Sequence, residues 1–111
     1  MRHRAEFLAV AATGKKWVAN GLILQLGPQK AEPQLRYGLT ATTKIGNAVI
    51  RNRARRRLRA LAFDFLTVHA SPQHDYVLIA RATTATRDHA ELKKDMVTAL
   101  KKLGVWRETN A

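Results

Sequence analysis

Residues 45–66 read IGNAVIRNRARRRLRALAFDFL, and this stretch decides the fold because it joins a helical apolar stripe to the densest arginine cluster of the chain. On a helix, Ile50, Ala54, Leu58, Leu61 and Phe65 fall within about a quarter-turn of one another, while Arg53, Arg55, Arg56 and Arg59 spread over the other side. One face packs; the other meets water or an anion. Arg51/Arg55, Arg53/Arg57 and Arg55/Arg59 are like-charge pairs at i,i+4, and the first acid downstream is Asp64. An ordinary solvated helix intersperses opposite charges, and each like pair costs about 0.2–0.5 kcal/mol. Arg51 and Arg53 also stand near the expected helix start, where the macrodipole favours a carboxylate or phosphate. A polyanionic partner relieves this repulsion; the alternative is a purely solvated face.

The rest of the composition carries the same sign. The 111 residues hold 20 Lys and Arg against 8 Asp and Glu, a formal charge of +12, which draws the chain toward nucleic acid or an anionic membrane surface. Hydrophobic residues make up 46%, enough for a globular core, and without a linker-like segment residues 1–111 read as one domain. The chain has no cysteine, which excludes disulfides, thiolate zinc sites and redox pairs and fits a reducing, cytoplasmic setting. The apolar segment near the N-terminus is interrupted by Glu6 and is short for a secretory signal. No apolar run approaches the ~18 residues of a membrane span, so no membrane partner is expected.

Along the chain, residues 5–13 place Phe7, Val10 and Ala11 at i, i+3 and i+4 and predict a short helix ended by Gly14. Phe7 reads equally as a core anchor and as a stacking platform. Lys15-Lys16-Trp17 pairs phosphate attraction with an indole, and half-buried packing is the other role open to Trp17. Residues 21–26 (GLILQL) predict a strand, 27–33 a proline-containing loop, and 35–43 a second strand, the two pairing as an antiparallel hairpin. In the second, Arg36, Gly38, Thr40 and Thr42 alternate with Tyr37, Leu39, Ala41 and Thr43, and the polar set is a candidate floor for an RNA groove. Asn47 is placed to cap the long helix.

Residues 68–75 read as a loop and 76–82 (YVLIARA) as a strand buried on both faces, with Arg81 at its end. Asp88-His89-Ala90-Glu91 has the form of a capping box; Leu92, Met96, Leu100 and Leu103 then define a helix that ends near Gly104 and carries a mixed, solvated charged face. The acids are scattered, His69 and His74 lack a ligand-rich neighbourhood, and no nucleophile–base arrangement or Gly-rich phosphate loop is present. The expectation is therefore no catalytic residue, no metal site and no cofactor bound by the protein alone. Basic residues with aromatics fit RNA binding instead.

The run Lys44-Ile45-Gly46-Asn47-Ala48-Val49-Ile50-Arg51-Asn52-Arg53-Ala54-Arg55-Arg56 resembles the signature of the bacterial ribonuclease P protein component, and the likeness extends over nearly the whole chain. The resemblance implies a single-domain α+β fold, an α/β sandwich ordered α-β-β-α-β-α. Its mixed sheet has about four strands, one of them near residues 16–18, and a left-handed βαβ crossover where the general rule expects a right-handed one. It further implies the protein subunit of ribonuclease P, an accessory to a catalytic RNA subunit that needs Mg2+ and removes the 5′ leader of precursor tRNA.

In that family Lys44, Asn47, Arg51, Asn52, Arg53, Arg55, Arg56 and Arg59 match positions facing the RNA subunit. The precursor-tRNA leader cleft draws on Phe7 and sheet residues, here extended to Lys15, Lys16, Trp17, Arg36, Thr40 and Thr42. The chain departs from the pattern at Ala11, where a second aromatic is common, and at Thr43, where a basic residue is usual. Arg55 stands where Lys is common and Arg57 where an apolar residue often occurs. Two other readings share the charge: a ribosomal or general RNA-binding protein, and a DNA-binding module with the arginine helix in a major groove.

Overall fold

In the computed structural model, which describes residues 4–109, the arginine stretch forms the helix its periodicity predicts. Helix α2 spans Ala48–Leu61, and Asn47 caps it: the Ile50 N–H donates to Asn47 Oδ1 at 3.0 Å. Ala54, Leu58 and Leu61 are buried as the stripe requires, whereas Ile50, its first member, is 36% exposed and rests on Gly46. Beyond them the helix widens into a π-helical segment, Ala62–Leu66, with the Thr67 N–H donating to the Ala62 carbonyl five residues back. One extra residue per turn rotates the stripe. Leu66 therefore takes the core position, Phe65 is only half-buried, and Phe63 is 69% exposed. A short α3, Thr67–His69, continues the helix into residues expected to be loop.

The strands are β1 (Lys16–Val18), β2 (Leu22–Gln29), β3 (Arg36–Thr40) and β4 (His74–Ala80), arranged β1-β2-β4-β3. The hairpin expected between β2 and β3 is not formed. Strand β4 lies between them, antiparallel to β2 and parallel to β3, so β3-α2-β4 is a βαβ unit in a mixed sheet. The residues account for this: Tyr76, Val77 and Leu78 bury both faces of β4 and suit the centre, whereas β3 alternates polar and apolar residues and suits an edge. Pro28, which has no N–H, falls where the β2–β4 register shifts between Leu26 and Gln29.

Alternation gives the sheet two different faces. Leu22, Leu24 and Leu26, paired with Ala80, Leu78 and Tyr76, join the main core with α2 and α4 (His89–Lys102), the latter contributing Leu92, Met96, Ala99 and Leu100. Asp88 caps α4, accepting from the Ala90 and Glu91 N–H groups at 2.9 and 3.3 Å, and Gly104 ends it at φ +75°. The face of α4 expected to be solvated is in part an anchor: Asp95 binds Arg87 at 2.6 Å and accepts the Gly21 N–H at 3.1 Å. Helix α1 (Arg4–Ala12) lies on the other face of the sheet, with Val10 buried against Gly27 and the Phe7 ring over Gly38.

Candidate nucleic-acid interface

Two surfaces collect the residues singled out by sequence. The first is α2 with the turn before it. Lys44 is exposed in the 3-10 turn Thr43–Ile45, and Gly46 at φ +149°, with Ile50 pressed against it, directs the chain into the helix. Asn52, Arg53, Arg56 and Arg59 are exposed; Arg51 and Arg55 are half-buried. Arg55 braces the helix on β3 by donating to the Ala41 carbonyl at 3.4 Å, and Arg57 donates to the Thr84 carbonyl at 2.8 Å. The unusual arginine at position 57 is thus a strut between α2 and the β4–α4 loop. Asn47 is exposed, but its Oδ1 is committed to the cap.

Among the described residues, the ion-paired cations are Lys30, Arg36, Arg87 and Lys94; no arginine of α2 has a carboxylate partner. Arg51 Nε is buried without a hydrogen-bond partner. Arg53, Arg56 and Arg57 line a shallow depression of about 390 Å3 with Ala60 and His89. His89 was not singled out by sequence, because it is brought to α2 from the start of α4. This surface is an array of positive charge in which no arginine is ion-paired to a carboxylate among the described residues.

The second surface is the α1 side of the sheet. Register places Lys16, Gln25, Val77 and Gly38 in one row across all four strands, and Val18, Ile23, Ile79 and Thr40 in the next. The Phe7 ring covers Gly38, while Val18 is 49% exposed and Ile23, Ile79 and Thr40 are half-buried. The floor is therefore apolar at its centre, with Lys16 at one edge and Thr40 at the other. Lys15 and Thr42 are exposed at its ends. Ile23, Ile79 and Val18 were missed as floor residues; the alternation in GLILQL was the signal that carried Ile23.

Two residues assigned to this cleft from sequence take other partners. Trp17 pairs with Leu24 and so faces the opposite side of the sheet from Phe7, packed against the main core with Lys102 Nζ 5.8 Å from its ring centroid. It cannot replace the aromatic absent at Ala11, because neighbouring residues of a strand point to opposite faces. Arg36 is ion-paired on both sides. Its Nε and Nη2 donate to Asp75 at 3.1 and 2.6 Å, its Nη1 pairs with Glu6 of α1 at 3.3 Å, and Lys30 approaches Asp75 at 2.8 Å. Burial raises the Asp75 pKa, but hydrogen bonds and charge from Arg36 and Lys30 outweigh it and hold the carboxyl below its ordinary value. The hydrogen bond and charge of Asp75 raise Arg36 in turn.

His69 stacks on Trp106 with centroids 4.3 Å apart, and His74 bonds the Gly27 carbonyl at 2.8 Å. Arg81 donates to the Ala19 carbonyl at 2.5 Å, a structural role rather than a place in the groove. Among the described residues no group of three or more His, Asp or Glu is placed to hold a metal ion. No helix of the described residues is long and apolar enough to cross a membrane.

A mixed four-stranded sheet between α1 and the α2/α4 layer is the fold of ribonuclease P proteins. The Staphylococcus aureus protein superposes with a TM-score of 0.79 over 96% of both chains at 21% identity. The Thermotoga maritima protein superposes with a TM-score of 0.76 over 92% of this chain and 94% of its own at 22% identity. A family model described as Ribonuclease P matches residues 1–104, and the chain belongs to that family. Among its relatives, the ribonuclease P protein component of Paramagnetospirillum magneticum is 44% identical over 115 aligned residues, covering the whole of this chain and 86% of the relative. That of Erythrobacter litoralis is 40% identical over 102 residues, 92% of this chain and 83% of the relative.

Proposed function

We propose that this protein is the protein subunit of ribonuclease P, which binds the catalytic RNA subunit and the 5′ leader of precursor tRNA. It assists the Mg2+-dependent endonucleolytic cut that makes the mature tRNA 5′ end. The observation that carries this reading is the α2 surface, where Arg53, Arg56 and Arg59 lie exposed without a carboxylate partner among the described residues. Backbone phosphates of the RNA subunit supply the missing anions, with Lys44, Arg51, Asn52 and Arg55 extending the contact. The family match over residues 1–104 favours this RNA over a DNA major groove as the partner of α2.

The leader runs along the α1 side of the sheet, where a base stacks on Phe7 and Lys15 and Lys16 attract its phosphates; such stacking tolerates any sequence. Arg36 ties α1 to the sheet through Glu6. In this reading Mg2+ is required by the RNA-containing holoenzyme. The protein works one-to-one with the RNA subunit in the cytoplasm and contributes no catalytic residue. The test is cleavage of precursor tRNA by the RNA subunit across a Mg2+ titration. Added protein lowers the Mg2+ requirement; no effect at any concentration refutes the proposal.

A further inference from the structure

Among the described residues, Phe63 is the aromatic side chain that this fold buries least. At 69% exposure it contributes little to the core, because Leu61 and Leu66 fill the positions on either side of it. It stands in the π-helical segment, a distortion found frequently at functional sites. With Tyr37 from β3, and with Arg56, Arg59, Ala60 and Asp64 from its own helix, it lines a depression of about 480 Å3, separate from the α1 cleft on the other face of the sheet. An aromatic plane, two guanidinium groups without carboxylate partners and one carboxylate thus share one concavity.

We infer that this depression receives a single unpaired nucleobase of the ribonuclease P RNA, stacked on Phe63, with Arg56 and Arg59 on the flanking phosphates. The inference rests on the proposed function above and adds to it a base-binding subsite. Proteins read RNA largely through splayed, unpaired bases stacked on aromatic rings, whereas paired segments offer mainly phosphates. Asp64 accepts hydrogen bonds only, so it orients an exocyclic amino group inward while the arginines hold the phosphates outside. A second copy of the chain is the other occupant of an exposed aromatic, but it brings the same +12 charge to an already basic surface.

The experiment measures affinity for the in-vitro-transcribed ribonuclease P RNA of the same organism, at several salt concentrations, for wild type and for Phe63→Ala, Phe63→Leu, Phe63→Tyr and Phe63→Trp. The expected result for Phe63→Ala is a loss of roughly 5- to 150-fold with an unchanged salt slope, since a stack is lost and no cation is removed. Phe63→Tyr and Phe63→Trp keep the affinity, and Phe63→Leu does not. Equal affinity of Phe63→Ala and wild type overturns the inference, as does full rescue by leucine, which marks a plain apolar contact. So does a fall in sedimenting mass of the free protein on Phe63→Ala, which marks a self-association face. The arginine-dependent salt slope and the Mg2+ titration do not involve Phe63, so they stand or fall separately.

Discussion

Replacing Gly38 by alanine tests the arrangement on which the leader cleft depends, and the structure sets its size. A Cβ at position 38 would lie 2.4 Å from Phe7 Cζ and 2.5 Å from Cε1, so ring and methyl cannot both stay. Overpacking of this kind costs about 1–3 kcal/mol, and because the obstacle is the far edge of a ring that can swing, the lower end applies. The glycine is not held by its backbone: the described glycines at positive φ are Gly14, Gly46 and Gly104. Without the ring, alanine here stabilises by about 0.4–1 kcal/mol through the unfolded state. Gly38→Ala is therefore destabilising in wild type and stabilising in a Phe7→Ala background. The coupling in the double-mutant cycle equals the steric cost, about 1 kcal/mol. Urea unfolding of the four proteins measures it, and displacement of the ring also lowers the preference of the holoenzyme for precursor over mature tRNA. An identical effect of Gly38→Ala in both backgrounds would refute the placement of Phe7 over β3.

Arg53→Ala with Arg56→Ala weakens RNA-subunit binding and lowers the slope of log K against log salt by about 1.4–1.8, at 0.7–0.9 per phosphate contact; an unchanged slope in a salt titration means the face points away from RNA. Asn47→Ala removes the cap on the Ile50 N–H and costs about 0.5–2 kcal/mol, read as a lower melting temperature. Asp75 has a lowered folded pKa, so its contribution is fully present above the ordinary carboxylate range near pH ~4 and is lost as pH falls through the folded value. In Asp75→Asn that part of the acid limb disappears; a stability–pH curve of unaltered shape below pH ~4 counts against the Arg36–Asp75–Lys30 network.

What could be read from the sequence was local. The α2 stripe, the Asn47 and Asp88 caps, the turns at Gly14 and Gly104 and the exposed arginines each follow from a pattern within a few residues. The misses are non-local or concern backbone period. Phe65 was expected in the core and Leu66 occupies it, because a π-helical turn is invisible to a 3.6-residue count. Arg36 was placed in the leader cleft without a partner, since its carboxylate, Asp75, lies on another strand and becomes its neighbour only through parallel pairing. Trp17 was grouped with Phe7 because nothing in a three-residue strand says which face each residue takes until its partner Leu24 is known. The hairpin between β2 and β3 failed for a reason that was partly visible: the doubly apolar run of β4 asks for two neighbours, and these are the strands it separates.

The central place of β4 also governs the order in which the molecule comes into being. Strands β2 and β3 leave the ribosome with no partner for their facing edges, and both wait until His74–Ala80 has been made. At about 5–20 residues per second, that wait lasts on the order of seconds. The arginines of α2 follow β3 and precede β4 in the chain, so they emerge before the sheet can close, and their like charges repel other copies while the strand edges are open. The charge exposed on α2 thus also acts before the sheet is complete.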